Sequence, residues 1–333
     1  MVALAGSRVV VTGAAGFIGS HLVEELLARG CDDIVAFVRY TSTGTAGWLD
    51  QLTTDQRARV RVIHGDIRDP WSVLNATEGA KAIFHLAALI SIPYSYVSPD
   101  AYVETNVRGT LNVLEAARRH RVERVVITST SEVYGTARRV PIDEEHPLEG
   151  QSPYSASKIG ADQLATSFHR SFDVPVTILR PFNCYGPRQS TRAIIPTIIS
   201  QIAARTGVIR IGSLTPTRDF TFVTDTARAF VAIAQSDAAL GKVVNAGSGA
   251  EISIGDLVER LQRIASTSYR VEVDTQRLRP EKSEVLRLLA DSSLAARLIG
   301  WRPETSLDEG LARTLAWFSD PGNLARYPQG YRV

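Results

Sequence analysis

Two hydrophobic patterns alternate along the first half of the chain. Short runs rich in β-branched residues occur at positions 8–12, 34–38, 60–63, 82–86, 125–127 and 176–179. Runs of this length and composition are typical of strands buried on both faces of a parallel sheet. Between them, apolar residues recur at helical spacing, as in Leu22, Val23, Leu26 and Leu27. The alternation predicts an α/β fold built on a Rossmann-type doubly wound parallel sheet.

A glycine-rich turn follows the first predicted strand. Its glycines, Gly13, Gly16 and Gly19, are spaced G-x-x-G-x-x-G, and a predicted helix begins among them. In this context a glycine fingerprint indicates a dinucleotide site, because glycine permits a tight turn and lets the backbone approach the pyrophosphate at the helix N-terminus. We expect the dinucleotide to contact Gly13, Gly16, Phe17, Ile18 and Gly19.

The end of the second predicted strand bears on which dinucleotide is bound. NAD enzymes of this fold carry an Asp or Glu near this position, which binds the ribose hydroxyls. Here the strand ends in Val38, followed by Arg39. A guanidinium suits the 2′-phosphate of NADP, so Arg39 slightly favours NADP over NAD. An arginine that only faces solvent would leave the choice open.

Two further loops are expected at the same edge of the sheet. Asp66 and Ile67 follow the third predicted strand, and Ala87 and Ala88 follow the fourth. Because the carboxyl ends of parallel strands line the cofactor crevice, we expect all four residues to border the dinucleotide. Asp66 could accept a hydrogen bond from the adenine amino group. His85, just before the second loop, is interpreted as a strand residue and not as a catalytic base.

Candidate catalytic residues lie after the fifth predicted strand and on the next helix. The strand ends in the hydroxyls of Ser129 and Thr130, and Tyr154 and Lys158 stand four positions apart, on one helix face. An ammonium beside a phenol favours the phenolate and would lower the phenol pKa from ~10 toward neutrality. Tyr154 would then be a base for a substrate hydroxyl that Ser129 and Thr130 also bind. Ser129, Tyr154 and Lys158 are also expected to border the cofactor.

Three motifs together point to a family. They are Gly13-x-x-Gly16-x-x-Gly19, Tyr154-x-x-x-Lys158 and the run at positions 180–188. The chain thereby resembles, over nearly its whole length, the extended short-chain dehydrogenase/reductase family, whose members are nucleotide-sugar epimerases and dehydratases. Within it the sequence is similar to the sugar-nucleotide 4,6-dehydratases. Positions 92–96, 130–135 and 277–284 carry a likeness to the dehydratase of the legionaminic acid pathway.

The resemblance implies further site residues and partners. A nucleotide-sugar substrate would contact Tyr94, Asn183, Arg218 and Arg279. The two arginines would bind its diphosphate, although each could instead be a surface ion-pair residue. The substrate would be N-acetylglucosamine linked to UDP or GDP, and the cofactor would stay tightly bound. A homodimer would form through the two long helices that begin near Asp100 and Tyr154.

The second half is expected to add a smaller α/β substrate-binding lobe. A helix from Ile194 and a strand around Ile209 and Ile211 begin this lobe, and the segment 218–225 returns to the sheet. We therefore assign residues 1–180 mainly to an NAD(P)-binding Rossmann domain. Residues 181–333 form mainly the nucleotide-sugar-binding lobe, interleaved with returns to the sheet.

Glu132 separates two candidate reactions. A UDP-sugar 4-epimerase only removes and returns hydride at C4, so it needs no second base. A 4,6-dehydratase must also remove the C5 proton, which the C4 ketone acidifies, and expel the C6 hydroxyl as water. Glu132, next to the strand-end Thr130, can supply that base. We therefore predict a 4,6-dehydratase and keep the epimerase as the alternative.

The residue before Glu132 departs from the family pattern. The usual dehydratase sequence is Thr-Asp-Glu, in which the Asp protonates the departing hydroxyl, whereas this chain reads Thr130-Ser131-Glu132. Serine is a poor acid. Three explanations stay open: Glu132 performs both proton transfers, Ser131 relays through a water, or the enzyme releases a 5,6-alkene. The predicted catalytic set is Thr130, Ser131, Glu132, Tyr154 and Lys158.

Composition narrows the remaining possibilities. The chain has 333 residues, 44% of them hydrophobic, and 37 basic against 35 acidic residues give a formal charge of +2. With no basic block, this balance argues against nucleic-acid or membrane-surface binding. Cys31 and Cys184 lack metal-type spacing, so no metal site is expected, and they indicate reduced thiols. No apolar run reaches the ~18 residues of a membrane span and no signal peptide is recognisable, so we expect a soluble cytoplasmic protein.

Overall fold

A seven-stranded parallel sheet forms the centre of the computed structural model, which describes residues 2–327. The strands of the chain are β1 Arg8–Thr12, β2 Asp33–Arg39, β3 Val60–Gly65, β4 Ala82–His85, β5 Arg124–Thr128, β6 Val176–Pro181, β7 Cys184–Tyr185, β8 Val208–Ile211, β9 Thr217–Asp219, β10 Thr221–Phe222, β11 Val243–Ala246, β12 Glu251–Ser253 and β13 Arg270–Val273. The central sheet has the order β3-β2-β1-β4-β5-β6-β11. The strand order reverses between β1 and β4, which is where doubly wound sheets bind dinucleotides. The predicted fold class is confirmed.

Helices cover both faces of this sheet. They are α1 Phe17–Ala28, α2 Thr54–Arg57, α3 Pro70–Ala76, α4 Ile92–Val97, α5 Pro99–Tyr102, α6 Gly109–His120, α7 Pro153–Phe172, α8 Ile194–Ala203, α9 Val223–Gln235, α10 Ile254–Ile264, α11 Ser293–Ile299, α12 Leu307–Ser319 and α13 Pro321–Leu324. Helices α1 and α9 bury Leu22, Leu26 and Phe230 against one face. Helices α6 and α7 bury Val113 and Phe168 against the other. No helix among residues 2–327 is long and apolar enough to cross a membrane.

The helix predicted to begin near Asp100 is interrupted in the structure. Helix α5 leads into a π-helix at Val103–Arg108, and regular α-helical geometry resumes only in α6. The π-helix holds Asn106, whose side chain bonds both the carbonyl and the N–H of Leu89 in the loop after β4, at 2.9 and 2.8 Å. These bonds attach the π-helix to the loop after β4, at the carboxyl edge of the sheet. The buried position of the π-helix is Asn106, whereas Val103 is 50% exposed, so the apolar spacing at helical intervals did not reveal the π-helix.

The second half of the chain builds a separate hydrophobic core. Helices α8, α10 and α12 bury Ile198, Leu257 and Leu311 together with Ile209 of β8. Three two-stranded sheets accompany this core, pairing β7 with β10, β8 with β13 and β9 with β12. The seventh strand of the central sheet, β11, also comes from this half. The division at residue 180 stays a prediction, and residues 328–333 of the predicted lobe lie outside the described part of the chain.

A polar contact joins the loop after β7 to the first helix. Arg188 lies 2.6 Å from the Glu24 carboxylate and 3.2 Å from the Ser20 hydroxyl. Burial raises the Glu24 pKa, but hydrogen bonds and charge from His21 and Arg188 outweigh it and bring the pKa down to about 2. The second half of the chain thereby holds α1, the helix whose N-terminus follows the glycine turn.

Candidate active site

The glycine turn after β1 is shaped by close backbone contacts. Gly13 has a φ of +70°, and a Cβ at this position would lie 2.8 Å from the Ala87 nitrogen. The Thr12 hydroxyl accepts the N–H groups of Leu86 and Ala87, each at 3.1 Å, so the loop after β4 is tied to the turn. Gly16 is the N-cap of α1. Only glycine fits at Gly13, because a side chain there would displace the neighbouring loop.

The close packing of this turn extends to its third glycine. A Cβ on Gly19 would clash with the carbonyl of Gly13. Phe17 and Ile18, in the first turn of α1, pack against the core of the second half. The half-buried Ala88 continues the loop from Ala87. Because the glycines and the two alanines are small, the N-terminus of α1 is left accessible beside the ends of β1 and β4. A dinucleotide pyrophosphate needs this geometry.

Asp66 and Arg39 lie together at the ends of β3 and β2. The Asp66 carboxylate accepts hydrogen bonds from Arg68, with a shortest distance of 2.6 Å. These bonds, helped by the charge of Arg39, hold the pKa of Asp66 below its usual range. The neighbouring Ile67 packs against Gly109 of α6. Asp66 is therefore already paired with Arg68, a contact that the sequence analysis did not predict. Arg68 and Arg39 both lie near Asp66, where the adenosine of the dinucleotide is expected.

Tyr154 and Lys158 begin helix α7. The helix starts where Ser152 and Ser155 form a reciprocal capping pair, and it carries both residues on the face toward β5. Tyr154 is buried, and both the Thr130 hydroxyl and the Glu132 carboxylate act on its phenol. Thr130, at the end of β5, also caps the 3₁₀ helix Ser131–Tyr134 by accepting the Glu132 N–H at 3.2 Å. The strand end and the helix face therefore meet at the phenol, as the spacing predicted.

The predicted lowering of the Tyr154 pKa is wrong for the chain by itself. Burial raises the pKa of this phenol, a hydrogen bond with Thr130 opposes the rise, and the negative charge of Glu132 adds to it. The Lys158 Nζ donates to the backbone carbonyl of Thr128 at 2.5 Å. Burial in turn lowers the pKa of Lys158 to about 8, against a favourable charge from Asp162.

Ser129 was expected, together with Thr130, to bind the substrate hydroxyl, but the structure gives its hydroxyl another partner. Its hydroxyl donates to the Asp162 carboxylate at 2.8 Å. The same carboxylate oxygen accepts the Arg180 guanidinium at 2.8 and 3.1 Å, which makes a buried ion pair. Arg180 also donates to the Tyr134 hydroxyl at 2.9 Å. The proton of Ser129 is thus used inside the fold, so we withdraw it as a donor to the substrate hydroxyl.

Three positioning residues were missed by sequence reasoning. Asp162 follows Lys158 by one helical turn, a spacing that could have been noticed. Arg180 lies within a motif that was recognised, but its partner could not be read from the sequence. Asn106 binds the Ser157 hydroxyl at 2.9 Å as well as Leu89, and an isolated Asn in a helix gives no signal. π-helical turns of this kind are frequent at functional sites.

His85 has the structural role that was predicted for it. Its ring lies between the hydroxyls of Thr12 and Thr110, at 2.8 and 3.1 Å. Burial and the charge of Lys158 lower its pKa to about 3. The imidazole is therefore neutral at physiological pH, and it links β1, β4 and α6 beneath the site.

Three of the four residues assigned to the substrate, Asn183, Arg218 and Arg279, belong to the second half of the chain. Arg218 of β9 is buried and lies close enough to Glu132 for their charges to interact. Arg218 and Arg279 share a carboxylate oxygen of Glu284, at 3.2 and 3.5 Å. Asn183 follows β6, and its amide oxygen is buried. Tyr94 of α4 is exposed, and its ring packs near that of Tyr102, which in turn packs near the ring of Tyr154.

The site fits a dinucleotide. The glycine turn leaves a wall of backbone beside the N-terminus of α1, where only hydrogen atoms project from Gly13 and Gly19. Two buried side-chain oxygens, on Thr128 and Asn183, have no hydrogen-bond partner within residues 2–327. Buried polar atoms are nearly always paired, so these unpaired oxygens, at the end of β5 and just after β6, are suited to binding a polar ligand.

Comparisons with known proteins agree with this geometry. The GDP-mannose 4,6-dehydratase family profile matches residues 10–314. The chain belongs to this family. A dTDP-glucose 4,6-dehydratase of Streptomyces griseus is 35% identical over 314 residues, 94% of each chain. A UDP-glucose 4-epimerase of Mycolicibacterium smegmatis is 35% identical over 322 residues, 93% of this chain and 98% of the relative.

A solved relative extends the agreement to the cofactor. The dTDP-glucose 4,6-dehydratase DesIV of Streptomyces venezuelae, determined with NAD bound, has a TM-score of 0.87 at 32% identity and covers 96% of this chain and 98% of its own. The family, the fold and the enzyme class predicted from the sequence are confirmed. The protein is an enzyme of the nucleotide-sugar dehydratase and epimerase family, in which NAD is the cofactor of the solved relative.

Replacing Lys158 by methionine should change how stability depends on pH. In the folded protein the Lys158 pKa is about 8, against a usual value of 10.5. Between pH 8 and pH 10.5, Lys158 is mostly protonated in the unfolded chain and mostly neutral in the folded protein. The free energy of unfolding of the wild type therefore increases as pH rises across this window. Methionine removes this ionisation. The melting temperature of Lys158→Met relative to wild type should therefore fall by a few degrees between pH 7.5 and 10.5.

The measurement is thermal unfolding of both proteins freed of bound dinucleotide. Lys242→Met, which alters an exposed lysine, is the control, and its difference from wild type should stay constant across the same pH range. A constant difference for Lys158→Met as well would contradict the assignment of a buried lysine with a lowered pKa.

Proposed function

We propose that the protein is an NAD(P)-dependent nucleotide-sugar 4,6-dehydratase that forms a 4-keto-6-deoxy sugar nucleotide. One observation carries this proposal: the Glu132 carboxylate is held next to Tyr154 and Thr130 at the end of β5, with only 9% of the residue exposed. A nearly buried carboxylate at this place has no role in exchange at C4 alone. It is suited to remove a proton from the neighbouring C5.

The chain's own groups divide the proton transfers between them. Tyr154, with the Thr130 hydroxyl beside it, takes the proton of the C4 hydroxyl. The chemistry that a bound dinucleotide would supply is hydride transfer, first away from C4 and later back to C6. Glu132 then removes the C5 proton, the C6–O bond breaks and a C5=C6 double bond forms as water leaves. In the finished product C5 carries a proton that has come from solvent.

We assign the protonation of the departing C6 hydroxyl to Glu132. Ser131 occupies the position where an acid would be expected, but it is only 2% exposed and its hydroxyl is not acidic. Glu132 holds the proton it has just taken from C5, and passing it to the C6 oxygen completes the loss of water. Elimination then needs one carboxyl group, which agrees with the departure from Thr-Asp-Glu.

The substrate we propose is a nucleoside diphosphate sugar, UDP- or GDP-linked N-acetylglucosamine. The likeness of positions 92–96 and 277–284 to the legionaminic acid dehydratase supports the sugar. Arg218 and Arg279 support the diphosphate, because planar guanidinium groups bind two phosphate oxygens at once. Asn183 and Tyr94 complete the proposed substrate set.

The second candidate is a UDP-sugar 4-epimerase. A relative with this name is as similar to the chain as the dehydratase relative, at 35% identity. The two reactions share Tyr154, Lys158 and Thr130. Glu132 is therefore the residue on which the choice between dehydratase and epimerase depends. Because Ser131 replaces the expected acid, a third product, the 5,6-alkene, is tested in the same experiment.

The proposed reaction can be tested by incubating the purified enzyme with UDP- and GDP-N-acetylglucosamine in D₂O. We expect a product that has lost one water and carries deuterium at C5, because the original C5 proton leaves with the water and C5 is protonated again from solvent. Mass spectrometry and proton NMR of the product provide both measurements. A product of unchanged mass with an inverted C4 would establish the epimerase instead. Loss of water with a vinylic C6 signal would establish the 5,6-alkene.

Glu132→Gln should abolish the C5 chemistry and leave cofactor binding intact. The amide keeps the shape of the side chain but cannot take a proton, so we expect dehydration and C5 exchange to fall by about 10²–10⁴. Deuterium exchange at C5 and dinucleotide affinity are measured on the same preparation. Glu149→Gln, which alters a carboxylate that pairs with Arg138 at the surface, is the control. Normal C5 exchange in Glu132→Gln would remove this residue from the mechanism.

The NADP preference rests on Arg39. We expect Arg39→Ala to weaken NADP binding by about tenfold, or ~1.4 kcal/mol, and to change NAD binding much less, because only NADP carries the 2′-phosphate. Calorimetric titration of both dinucleotides is the measurement, and Arg61→Ala, at an exposed position on β3, is the control. Equal effects on the two dinucleotides, or release of NAD alone from denatured protein, would assign the enzyme to NAD. The homodimer and the cytoplasmic location stay predictions.

A further inference from the structure

One carboxylate holds both arginines of the proposed diphosphate subsite. The Glu284 Oε1 atom lies 3.2 Å from Nη2 of Arg218 and 3.5 Å from Nη1 of Arg279. The side chains are 18%, 7% and 26% exposed for Glu284, Arg218 and Arg279, respectively. The three charges are therefore largely removed from water. They face one another at the junction of β9 with the segment that contains Arg279 and Glu284.

The arginines keep hydrogen-bonding capacity in this arrangement. Arg218 uses Nη1 for the Thr217 carbonyl at 2.9 Å and Nη2 for Glu284 at 3.2 Å. Nη1 of Arg279 is buried and makes no hydrogen bond within residues 2–327. Each guanidinium carries five N–H donors. A single carboxylate oxygen thus offsets one of two positive charges and leaves most of the guanidinium donors unsatisfied, and a diphosphate, with more charge and more acceptor oxygens, could serve both arginines better.

Glu284 can leave the arginines without moving its backbone. The preceding Ser283 donates to the Gln151 carbonyl at 2.6 Å and bonds the Tyr96 hydroxyl at 2.5 Å. After Glu284, the N–H of Leu286 bonds the Thr136 hydroxyl at 3.2 Å. The main chain is therefore anchored on both sides of Glu284, whereas the contacts of its carboxylate in the described residues are the two arginines. Rotation of one side chain is enough to open the subsite.

We propose that Glu284 is the resident counter-ion of the diphosphate subsite, which pairs with both Arg218 and Arg279 in the free enzyme and gives way to the substrate's diphosphate. The inference rests on the proposed function, because it takes these arginines as the diphosphate ligands. It adds a residue that works against binding. Glu284 reduces the net positive charge of two largely buried cations while the site is empty, and its carboxylate is displaced when the anion arrives.

This role has a consequence opposite to that of a ligand or an organising residue. If Glu284 competes with the diphosphate, its removal strengthens the binding of every ligand that carries a diphosphate, whatever its base or sugar. If Glu284 instead holds the arginines in their binding geometry, its removal weakens the same ligands. The diphosphate takes no part in the bond changes, so removing a charge that opposes its binding stabilises the bound substrate and the transition state equally and lowers KM without raising kcat.

The test is calorimetric titration of the full-length protein with UDP, GDP and inorganic pyrophosphate. Glu284→Gln should bind each probe about three- to tenfold more tightly than wild type, and Glu284→Ala should change in the same direction. Glu251→Gln is the matched control, because Glu251 pairs with Arg287 and bonds Thr217 on the same strand pair without contacting Arg218 or Arg279. The control should leave all three affinities unchanged.

Arg279→Gln makes the test specific. This variant should bind the probes more weakly than wild type, and adding Glu284→Gln to it should give a smaller gain than the same change gives alone. Unchanged or weaker binding by Glu284→Gln, with unaltered thermal unfolding, overturns the inference. An Arg279→Gln variant that binds like wild type overturns the diphosphate subsite itself, whereas the dehydration assay judges the proposed reaction separately.

Discussion

Helix α7 is fixed to the end of β5 by two buried polar contacts, and the geometry of the site depends on them. Lys158 donates to the Thr128 carbonyl at 2.5 Å, and Ser129 donates to Asp162 at 2.8 Å. Buried polar groups are costly unless they are paired, so these bonds permit little sliding of the helix along the strand. Tyr154, at the start of α7, is thereby placed next to Thr130. The hydroxyl-rich strand end and the helix face meet because each satisfies the other's buried groups.

The same burial that fixes the geometry opposes ionisation. It raises the pKa of the Tyr154 phenol and lowers the pKa of the Lys158 ammonium to about 8. Both groups are thus pushed toward their neutral forms, and Glu132 adds a negative charge next to the phenol. A phenolate at Tyr154 therefore has to form against both burial and the charge of Glu132. Sequence spacing places Tyr154 and Lys158 on one helix face but does not report this burial.

The parts of the structure that could be predicted are those governed by local pattern. The β-branched runs gave the correct strands, and the glycine spacing located a turn in which Gly13 adopts a positive φ against Ala87. Contacts between distant residues were not predictable. Nothing in the sequence pairs Asp162 with Arg180, so the use of Ser129 inside the fold was missed. The apolar periodicity likewise predicted one continuous helix, whereas the π-helix leaves Val103 exposed and buries the polar Asn106.

Charge around Arg218 connects binding to chemistry. Glu132 and Glu284 both act on this buried guanidinium, one from the proposed catalytic strand end and one from the proposed diphosphate subsite. If a diphosphate replaces Glu284 beside Arg218, the cation becomes better neutralised and attracts Glu132 less. A carboxylate that is held less strongly by a cation is a stronger base. Occupation of the nucleotide end of the site would thus strengthen the base that the dehydratase needs and a 4-epimerase does not.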